Sequence, residues 1–190
     1  MPALDVVEAT VQQLTRTMET LPLHYAQLAG ELILASTLQG VPRVYDAYMA
    51  LLSNPEEPEP VRAQACTTLE EALEHGYFWL TREPKSGQAD DEHWAVRSTI
   101  QEHDQRVERF VRAVCNLALE KTTPASLRED KIPNALRYLL KRRGLLMPAA
   151  ALDVVDATLR QLAGSAEEPP GEYRWVALEL KGVQEQRKPK

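Results

Sequence analysis

Apolar residues recur at steps of three and four along most of this 190-residue chain, and this spacing places side chains on one face of an α-helix. The first such stripe consists of Leu4, Val7, Val11 and Leu14. Proline and glycine interrupt the stripes repeatedly, and no run alternates apolar and polar residues as a half-buried strand does. We therefore predict an all-α fold, a bundle of about seven to eight helices that forms a single domain over residues 1–185.

Polar segments separate the predicted helices. Residues 54–60 (NPEEPEP) and 165–171 (SAEEPPG) combine proline with glutamate, which predicts stiff, solvated linkers. Residues 82–91 end in EPKSGQADD and predict an exposed loop. The basic residues 186–190 predict a disordered tail.

The longest predicted helix is central to the bundle and runs from about residue 91 to about residue 121. At about 1.5 Å per residue it would be about 45 Å long. Its heptad-like seam consists of Val96, Ile100, His103, Val107, Phe110, Val114 and Leu117.

Local signals refine the later helices. Ser126 and Glu129 have the spacing of a capping box, and Gly144 is expected to follow the end of the helix that this box opens. Pro133 is expected to kink or restart that helix, and Gly164 to end the next one. Gly76 is expected to weaken the last turns of the helix that ends near Thr81.

Two distant segments have nearly the same sequence. Residues 3–32 and 151–180 are identical at 15 of 30 positions, from ALDVV(E/D)AT through a proline into a second helix. An apolar stripe does not require the shared polar residues, so we favour a duplicated helix–proline turn–helix hairpin over chance similarity of amphipathic helices.

Charge is unevenly distributed along the chain. Residues 1–80 hold three basic and 11 acidic side chains, whereas the part from Lys121 onward holds 13 basic and nine acidic ones. Such polarity suits a partner or head-to-tail self-contact, although solubility alone also explains it. The two cysteines, Cys66 and Cys115, lie in apolar helical stretches and are expected to be buried thiols in a reducing cytoplasm. No apolar run is long enough for a membrane span, so no membrane partner is expected.

Two features suggest contacts with a partner. Tyr77, Phe78 and Trp79, with Trp94 beyond the predicted loop, cannot all face one core, so at least one is expected to be exposed or in an interface. The alternative is a large core at the end of the bundle. His103 lies in the seam of the long helix, where it is either a pH switch or a core histidine satisfied by a carboxylate.

Basic residues give a nucleic-acid alternative. Arg137, Lys141, Arg142 and Arg143 lie along one predicted helix, and the tail adds further cations. Three of them fall in the last turn of the helix, where cations are favourable without any ligand. With a net charge of −6, generic backbone binding would be weak and sensitive to salt.

Signals for catalysis, cofactors and metals are absent from the sequence. Glu71 and His75 lie four apart, but the paired motifs of a di-iron bundle are missing, and the acids beside His93 point in different directions. No glycine-rich phosphate loop or nucleophile elbow occurs. We predict no cofactor and no metal, and an enzyme is not favoured.

From residue 107 to residue 185 the chain resembles HEPN-type (higher eukaryotes and prokaryotes nucleotide-binding) helical domains. ERFVRAVCNLALE, SLREDKIPNALRYLLKRRGLLMP and ALDVVDATLRQLAG follow one another as the family's helices do, including its glycine–leucine–leucine–x–proline connection. Active members cleave RNA with an arginine and a histidine. The family's arginine, asparagine and histidine correspond here to Ala163, Gly164 and a position near Glu168, so the resemblance implies a non-catalytic relative.

The sequence thus predicts a non-enzymatic, cytoplasmic interaction protein that binds a protein partner or forms a homo-oligomer. One alternative is a helical subunit of a nucleic-acid-processing or defence complex, which touches RNA or DNA through its basic C-terminal region. A second is a diverged HEPN-type ribonuclease that uses Arg97 and His103.

Overall fold

The computed structural model describes residues 23–38, 42–81, 98–166 and 168–188, together with Ala9 and Gln13. Within these ranges the chain forms seven α-helices and no strand, which confirms the all-α prediction. The helices are α1 (Leu23–Leu38), α2 (Arg43–Ser53), α3 (Glu59–Thr81), α4 (Ile100–Leu119), α5 (Ile132–Arg143), α6 (Ala149–Ala163) and α7 (Tyr173–Gln186), and a π-helical turn (Leu127–Lys131) precedes α5. None of these helices is long and apolar enough to cross a bilayer.

The chain clusters into two compact units, Met1–His103 and Asp104–Lys190, with the boundary inside α4. The single domain over residues 1–185 stays a prediction. The predicted linkers contain the turn between α2 and α3 and the turn between α6 and α7, whereas the predicted loop at 82–91 lies outside the described residues.

In the first unit, α1 packs against α2 and α3, and α2 packs against α3. Fully buried side chains fill the space between them, among them Ile33, Tyr45, Tyr48, Leu52, Leu69 and Leu73. Arg62 is buried as well, and its Nε donates a hydrogen bond of 3.1 Å to the carbonyl of Leu52. A cation at the carbonyl end of α2 is favourable, so this bond ties α2 to the start of α3.

Helix α4 begins later than predicted, at Ile100 rather than near residue 91. The backbone N–H of Glu102 donates to the hydroxyl of Thr99 (3.2 Å), and the N–H of Thr99 donates to the Glu102 carboxylate (2.8 Å). This reciprocal capping box satisfies two of the N–H groups that a helix start leaves free. The seam is buried from His103 to Leu117, whereas Ile100, in the first turn, is exposed.

The predicted capping box at Ser126 is wrong. Helical structure begins at Ala125, and the N–H of Arg128 donates to the carbonyl of Pro124 (2.9 Å), so Ser126 already lies within the helix, at φ −62°. The π-helical turn follows and ends before Pro133. Proline cannot supply an N–H to the preceding turn and its ring crowds the carbonyl there, so a wider turn restarts the helix, as predicted.

In the second unit, α5 and α6 both pack against α7. The hydroxyl of Tyr173, at the start of α7, donates to the carbonyl of Arg128 before α5 (2.6 Å), and Arg187, after α7, contacts Gly144 after α5. Helices α5 and α7 therefore run in the same direction, and α6 connects them along the chain. The fully buried core includes Phe110, Leu127, Ile132, Leu136, Leu139, Val155 and Val176.

Gly144 follows α5 as predicted, but not because the backbone needs a positive φ, since its φ is −52°. A Cβ at this position would lie 2.3 Å from Cγ2 of Val183 and 2.4 Å from the carbonyl oxygen of Leu140. Glycine is required here because α7 approaches closely. Gly164 does end α6 with a positive φ, of 58°, as its prediction implied.

The second copy of the repeated phrase forms the predicted hairpin, α6 followed by a turn and α7. Leu32 and Leu180 occupy equivalent positions and are both buried. Most of the first copy, up to residue 22, lies outside the described residues. The duplication itself stays a prediction.

The prediction of a disordered tail from residue 186 differs from the structure. Gln186 is the last residue of α7, and the Arg187 guanidinium donates from Nη2 to three carbonyls, those of Gly144, Leu145 and Met147. These carbonyls follow the end of α5 and need donors, so a cation binds there. Residues 189 and 190 lie outside the described part of the chain.

Candidate functional site

His103, the predicted switch residue, is buried at the start of α4 against α3. Its Nε2 lies 3.0 Å from the carbonyl oxygen of Leu73. Because a carbonyl only accepts hydrogen bonds, Nε2 carries the proton and donates. The Tyr77 ring meets the imidazole edge-on, with centroids 4.4 Å apart. A backbone carbonyl therefore hydrogen-bonds the histidine; the pH switch stays a prediction.

Gly76 makes this contact sterically feasible. A Cβ at Gly76 would lie 2.3 Å from Cε1 and 2.8 Å from Nδ1 of His103. Helix α3 continues through Gly76 to Thr81 without a break. The glycine expected to weaken α3 is therefore the position where the imidazole packs.

The aromatic residues predicted to contact a partner lie in different environments. Tyr77 is buried beside His103, Phe78 is 47% exposed and Trp79 is half-buried. The rings of Phe78 and Trp79 pack edge-to-face, with centroids 5.7 Å apart. Trp94 lies outside the described residues. Tyr77 thus belongs to the core of the first unit, and Phe78 is the member of this group with a large exposed area.

The predicted nucleic-acid residues lie on the outer side of α5. Ile132, Ala135, Leu136, Leu139 and Leu140 form its buried stripe. Lys141 and Arg142 are exposed, and Arg137 and Arg143 are half-buried. No acidic residue occurs in α5, so its outer side is uniformly basic.

The structure adds aromatic residues to this basic side. Trp175 of α7 is 41% exposed and lies beside two guanidinium groups, those of Arg137 and Arg174, each 5.6 Å from the centre of its ring. The Arg142 guanidinium lies 5.7 Å from the centre of the Tyr138 ring. Cation–π attraction at exposed sites is worth about 0.5–1 kcal/mol each, enough to orient these side chains.

Exposed leucines complete the same region. Leu178 of α7 is 58% exposed, and Leu145 and Leu146 are exposed in the turn after α5. We call the combined set the α5–α7 surface. Its residues are Arg137, Tyr138, Lys141, Arg142, Leu145, Leu146, Arg174, Trp175 and Leu178.

A groove of about 330 Å³ lies between the C-terminal parts of α5 and α7 and shares Lys141, Arg142, Leu145 and Leu146 with this surface. Leu140, Leu145, Leu146 and Val183 supply its apolar part, and Lys141, Arg142 and Arg143 supply its basic part. Glu179 is the one acid among the described residues that line it. We call this feature the α5–α7 groove.

Gly182 also lines the α5–α7 groove, in the interior of α7. A Cβ on Gly182 would meet no atom of the described residues within 4 Å. This part of the chain therefore leaves the backbone of α7 open on this side. At Gly144, in contrast, Val183 fills the space beside the glycine.

Helices α5 and α7 are joined at both ends of the pair. The Tyr173–Arg128 hydrogen bond joins the start of α7 to the π-helical turn, and the Arg187 guanidinium holds the turn that carries Leu145 and Leu146. Such preorganisation lowers the conformational entropy that a binding partner must overcome.

Both cysteines are buried free thiols, as predicted. Burial raises the pKa of the Cys115 thiol to about 11, although a hydrogen bond with Thr158 acts in the opposite direction. A thiol with that pKa stays protonated at neutral pH and is a poor nucleophile or metal ligand.

A catalytic or metal centre is not evident in the described part of the chain. No group of three or more His, Cys, Asp or Glu side chains there could hold a metal ion. His103 is buried, and Arg97, its partner in the ribonuclease hypothesis, lies outside the described residues. Gly164 and Glu168, at the positions of the HEPN-type asparagine and histidine, lie in the turn after α6.

Sequence reasoning missed the part of the surface that α7 contributes. The buried stripe of α7 consists of Tyr173, Val176, Leu180 and Val183. Trp175 and Leu178 fall outside this stripe, so two large apolar residues are expected on the solvent side. That pattern could have predicted an interaction surface, but the cluster at residues 77–79 drew attention to another part of the chain.

Comparisons with protein-family models, with curated proteins and with solved structures found no match to this chain. The function is therefore inferred from the geometry and chemistry of the α5–α7 surface.

Proposed function

We propose that this chain is a non-enzymatic interaction protein that binds a protein partner through the α5–α7 surface. One observation carries the proposal. Of the eight large apolar side chains exposed in the described residues, five lie on this surface: Tyr138, Leu145, Leu146, Trp175 and Leu178. Clustering of this kind on a soluble domain typically marks a binding surface.

The composition of the surface supports a protein partner. Aromatic residues and arginine are enriched at the centres of protein interfaces, and they dominate the binding energy when they are truncated. Trp175 has the guanidinium groups of Arg137 and Arg174 each 5.6 Å from the centre of its ring and is the natural centre of such an interface. The exposed leucines add apolar area that a phosphate backbone would not cover.

Site-specific photo-crosslinking in the native cells tests this proposal. A photoreactive amino acid at Leu178 or Leu145 is expected to give a discrete protein adduct that is lost when Trp175→Ala is added. The same group at Arg160, an exposed side chain on α6, is the matched control and should give no such adduct. Identical adducts at all three positions, or none at Leu178 and Leu145, would overturn the proposal.

A nucleic-acid partner is the second candidate, and the stacking of guanidinium groups on Trp175 and Tyr138 favours it. Aromatic planes interleaved with cations bind single-stranded nucleic acid by stacking and charge neutralisation. Fluorescence anisotropy with a labelled single-stranded RNA at 50 and 200 mM salt tests this alternative. Binding at the lower salt that is lost in Trp175→Ala would support it, and no binding at either salt would exclude it.

A further inference from the structure

We infer that the α5–α7 groove seats an amphipathic α-helix of the partner, with an apolar seam directed at Gly182 and acidic residues along its edges. This inference rests on the proposed function and specifies the partner's chemistry. It is carried by three independent features: an open glycine, a seam of helical spacing and a basic margin.

Gly182 is the first feature. Glycine inside a helix is unfavourable relative to alanine because it loses more backbone entropy on folding. Gly76 and Gly144 are explained by neighbours that would clash with a Cβ, whereas no atom of the described residues lies within 4 Å of a Cβ on Gly182. Glycine in a helix lets another helix approach closely, so a partner helix across Gly182 explains why the position lacks a side chain.

The second feature is the spacing of the exposed side chains. On α7, Trp175, Leu178 and Gly182 follow one another at steps of three and four. On α5, Tyr138 and Lys141 are three residues apart, and Leu145 follows in the turn after the helix. Two neighbouring helices that run in the same direction, one of them with an exposed seam, offer ridges and grooves that a third helix can enter.

The third feature is charge. Lys141, Arg142 and Arg143 line the α5 side of the groove, and Arg174 and Lys181 are exposed on α7. Glu179 lies within the groove, where it disfavours a carboxylate at the centre of the partner. The partner's acids therefore belong at the edges of its apolar seam, where these cations can reach them.

A helix agrees with the groove better than single-stranded nucleic acid does. Leu145, Leu146 and Val183 offer apolar contact to a hydrocarbon seam. Gly182 lies inside α7, where the helix uses the backbone N–H groups, so this glycine offers no donor to a phosphate. The seam on α7 from Trp175 to Gln186 spans about 16 Å at 1.5 Å per residue, close to three helical turns. A segment of roughly 16 residues can cover it.

Selection from a displayed library of random 16-residue peptides, with the immobilised full chain as bait, tests the inference. Lys141→Glu/Arg142→Glu serves as the counter-selection bait. The expected peptides have apolar residues at steps of three and four and acidic flanks, and they become helical on binding. Their affinity should fall roughly tenfold or more with Gly182→Gln, which fills the groove while keeping a good helix former.

Control variants keep the result interpretable. Arg160→Glu changes the charge of the second unit by the same amount per site but lies on α6, so affinity should stay within about twofold of the original. Thermal unfolding of each variant confirms that it is folded before its affinity is compared. A Gly182→Gln variant that is folded and binds unchanged would overturn the inference.

Other outcomes separate this inference from the proposed function. Selected peptides that need Trp175 but lack helical spacing or acidic flanks would overturn the helix and leave the α5–α7 surface as a protein-binding site. No enrichment over the counter-selection bait would also overturn it, and photo-crosslinking from Leu178 then decides the proposed function independently. Displacement of the selected peptides by a 20-residue uridine RNA, with tighter binding of the RNA, would favour the nucleic-acid alternative.

Discussion

Gly76 and Gly182 are both glycines inside helices, yet their surroundings are opposite. The His103 imidazole fills the space beside Gly76, where a Cβ would lie 2.3 Å from the ring, whereas within the described ranges no atom lies within 4 Å of a Cβ on Gly182. Gly76 is packed against another side chain of the same chain. Gly182 lies in an open groove between exposed apolar and basic side chains.

The difference indicates how to recognise a binding surface from the structure of a chain alone. Glycine inside a helix is unfavourable by about 1 kcal/mol relative to alanine. Where packing within the chain explains the glycine, the position concerns stability. Where it does not, the glycine points to a contact that the isolated chain does not make. The predictions below test the closed and open sides of this comparison in order of expected effect.

Gly76→Ala should be the most destabilising of these changes. The new methyl group would overlap a ring that the Leu73 carbonyl and Tyr77 hold in place. Overpacking of this kind costs about 1–3 kcal/mol and outweighs the higher helix propensity of alanine, so we expect the free energy of unfolding to fall by about 2 kcal/mol. Urea denaturation followed by circular dichroism measures this change.

The double variant Gly76→Ala/His103→Ala is its control. Without the imidazole the methyl group has room, so the two losses should not add, and the coupling energy should be about 1 kcal/mol or more. Simple additivity would mean that the ring does not pack against Gly76.

Burial of Cys115 in the second unit should make the free energy of unfolding depend on pH. The folded protein holds the pKa of Cys115 at about 11, against an ordinary value of 9.0. The unfolded chain therefore loses this proton first, and the stabilisation is full below pH 9 and is lost as pH rises towards 11. A pKa difference of about two units corresponds to a change of at most about 2.7 kcal/mol in the free energy of unfolding. Unfolding free energies from pH 8.5 to 11, for the native chain and for Cys115→Ala, isolate this contribution; equal slopes would contradict it.

Arg187→Ala tests whether Arg187 stabilises the turn after α5, which lines the α5–α7 groove. Its guanidinium donates to the carbonyls of Gly144, Leu145 and Met147, and hydrogen bonds from a charged donor are worth about 1.5–3 kcal/mol before solvent exposure reduces them. We expect a loss of about 1 kcal/mol and faster amide hydrogen exchange at Leu146 and Met147. Lys188→Ala, at the neighbouring exposed residue, should change stability by less than about 0.5 kcal/mol.

Gly182→Ala should have the smallest effect on the free energy of unfolding, and it should raise this energy rather than lower it. With no atom near the new methyl group, the higher helix propensity of alanine should raise the free energy of unfolding by about 0.5–1 kcal/mol. Thermal and urea denaturation measure this gain. A loss of stability would show that the position is packed within the chain, and the contrast with Gly76 would then disappear.

The helices were predictable because each carries local information. Pro42 and Pro58 precede α2 and α3, and Gly164 ends α6 at the predicted position. The start of α4 was predicted too early because apolar spacing continues upstream of the Thr99–Glu102 capping box, which was not recognised. Periodicity identifies a helix better than it locates the ends.

The candidate site was predictable only in part. The cations of α5 were identified as a group because they are close in sequence, but Arg174 and Trp175 are far from them along the chain. Arg187 was expected in a disordered tail because a short basic end has few local contacts. Its partners are carbonyls about forty residues away, and no local pattern indicates them.

The amino-acid sequence by itself determined the all-α character, the helix ends marked by proline or glycine and the buried thiols, because these follow from the backbone preferences and apolar spacing of neighbouring residues. Only the tertiary structure decided that Gly76 accommodates His103, that Gly144 accommodates Val183 and that Gly182 faces open space. Three glycines look alike in a sequence. Their roles differ because a role depends on which distant side chain occupies the space where a Cβ would be, and packing alone brings those side chains together.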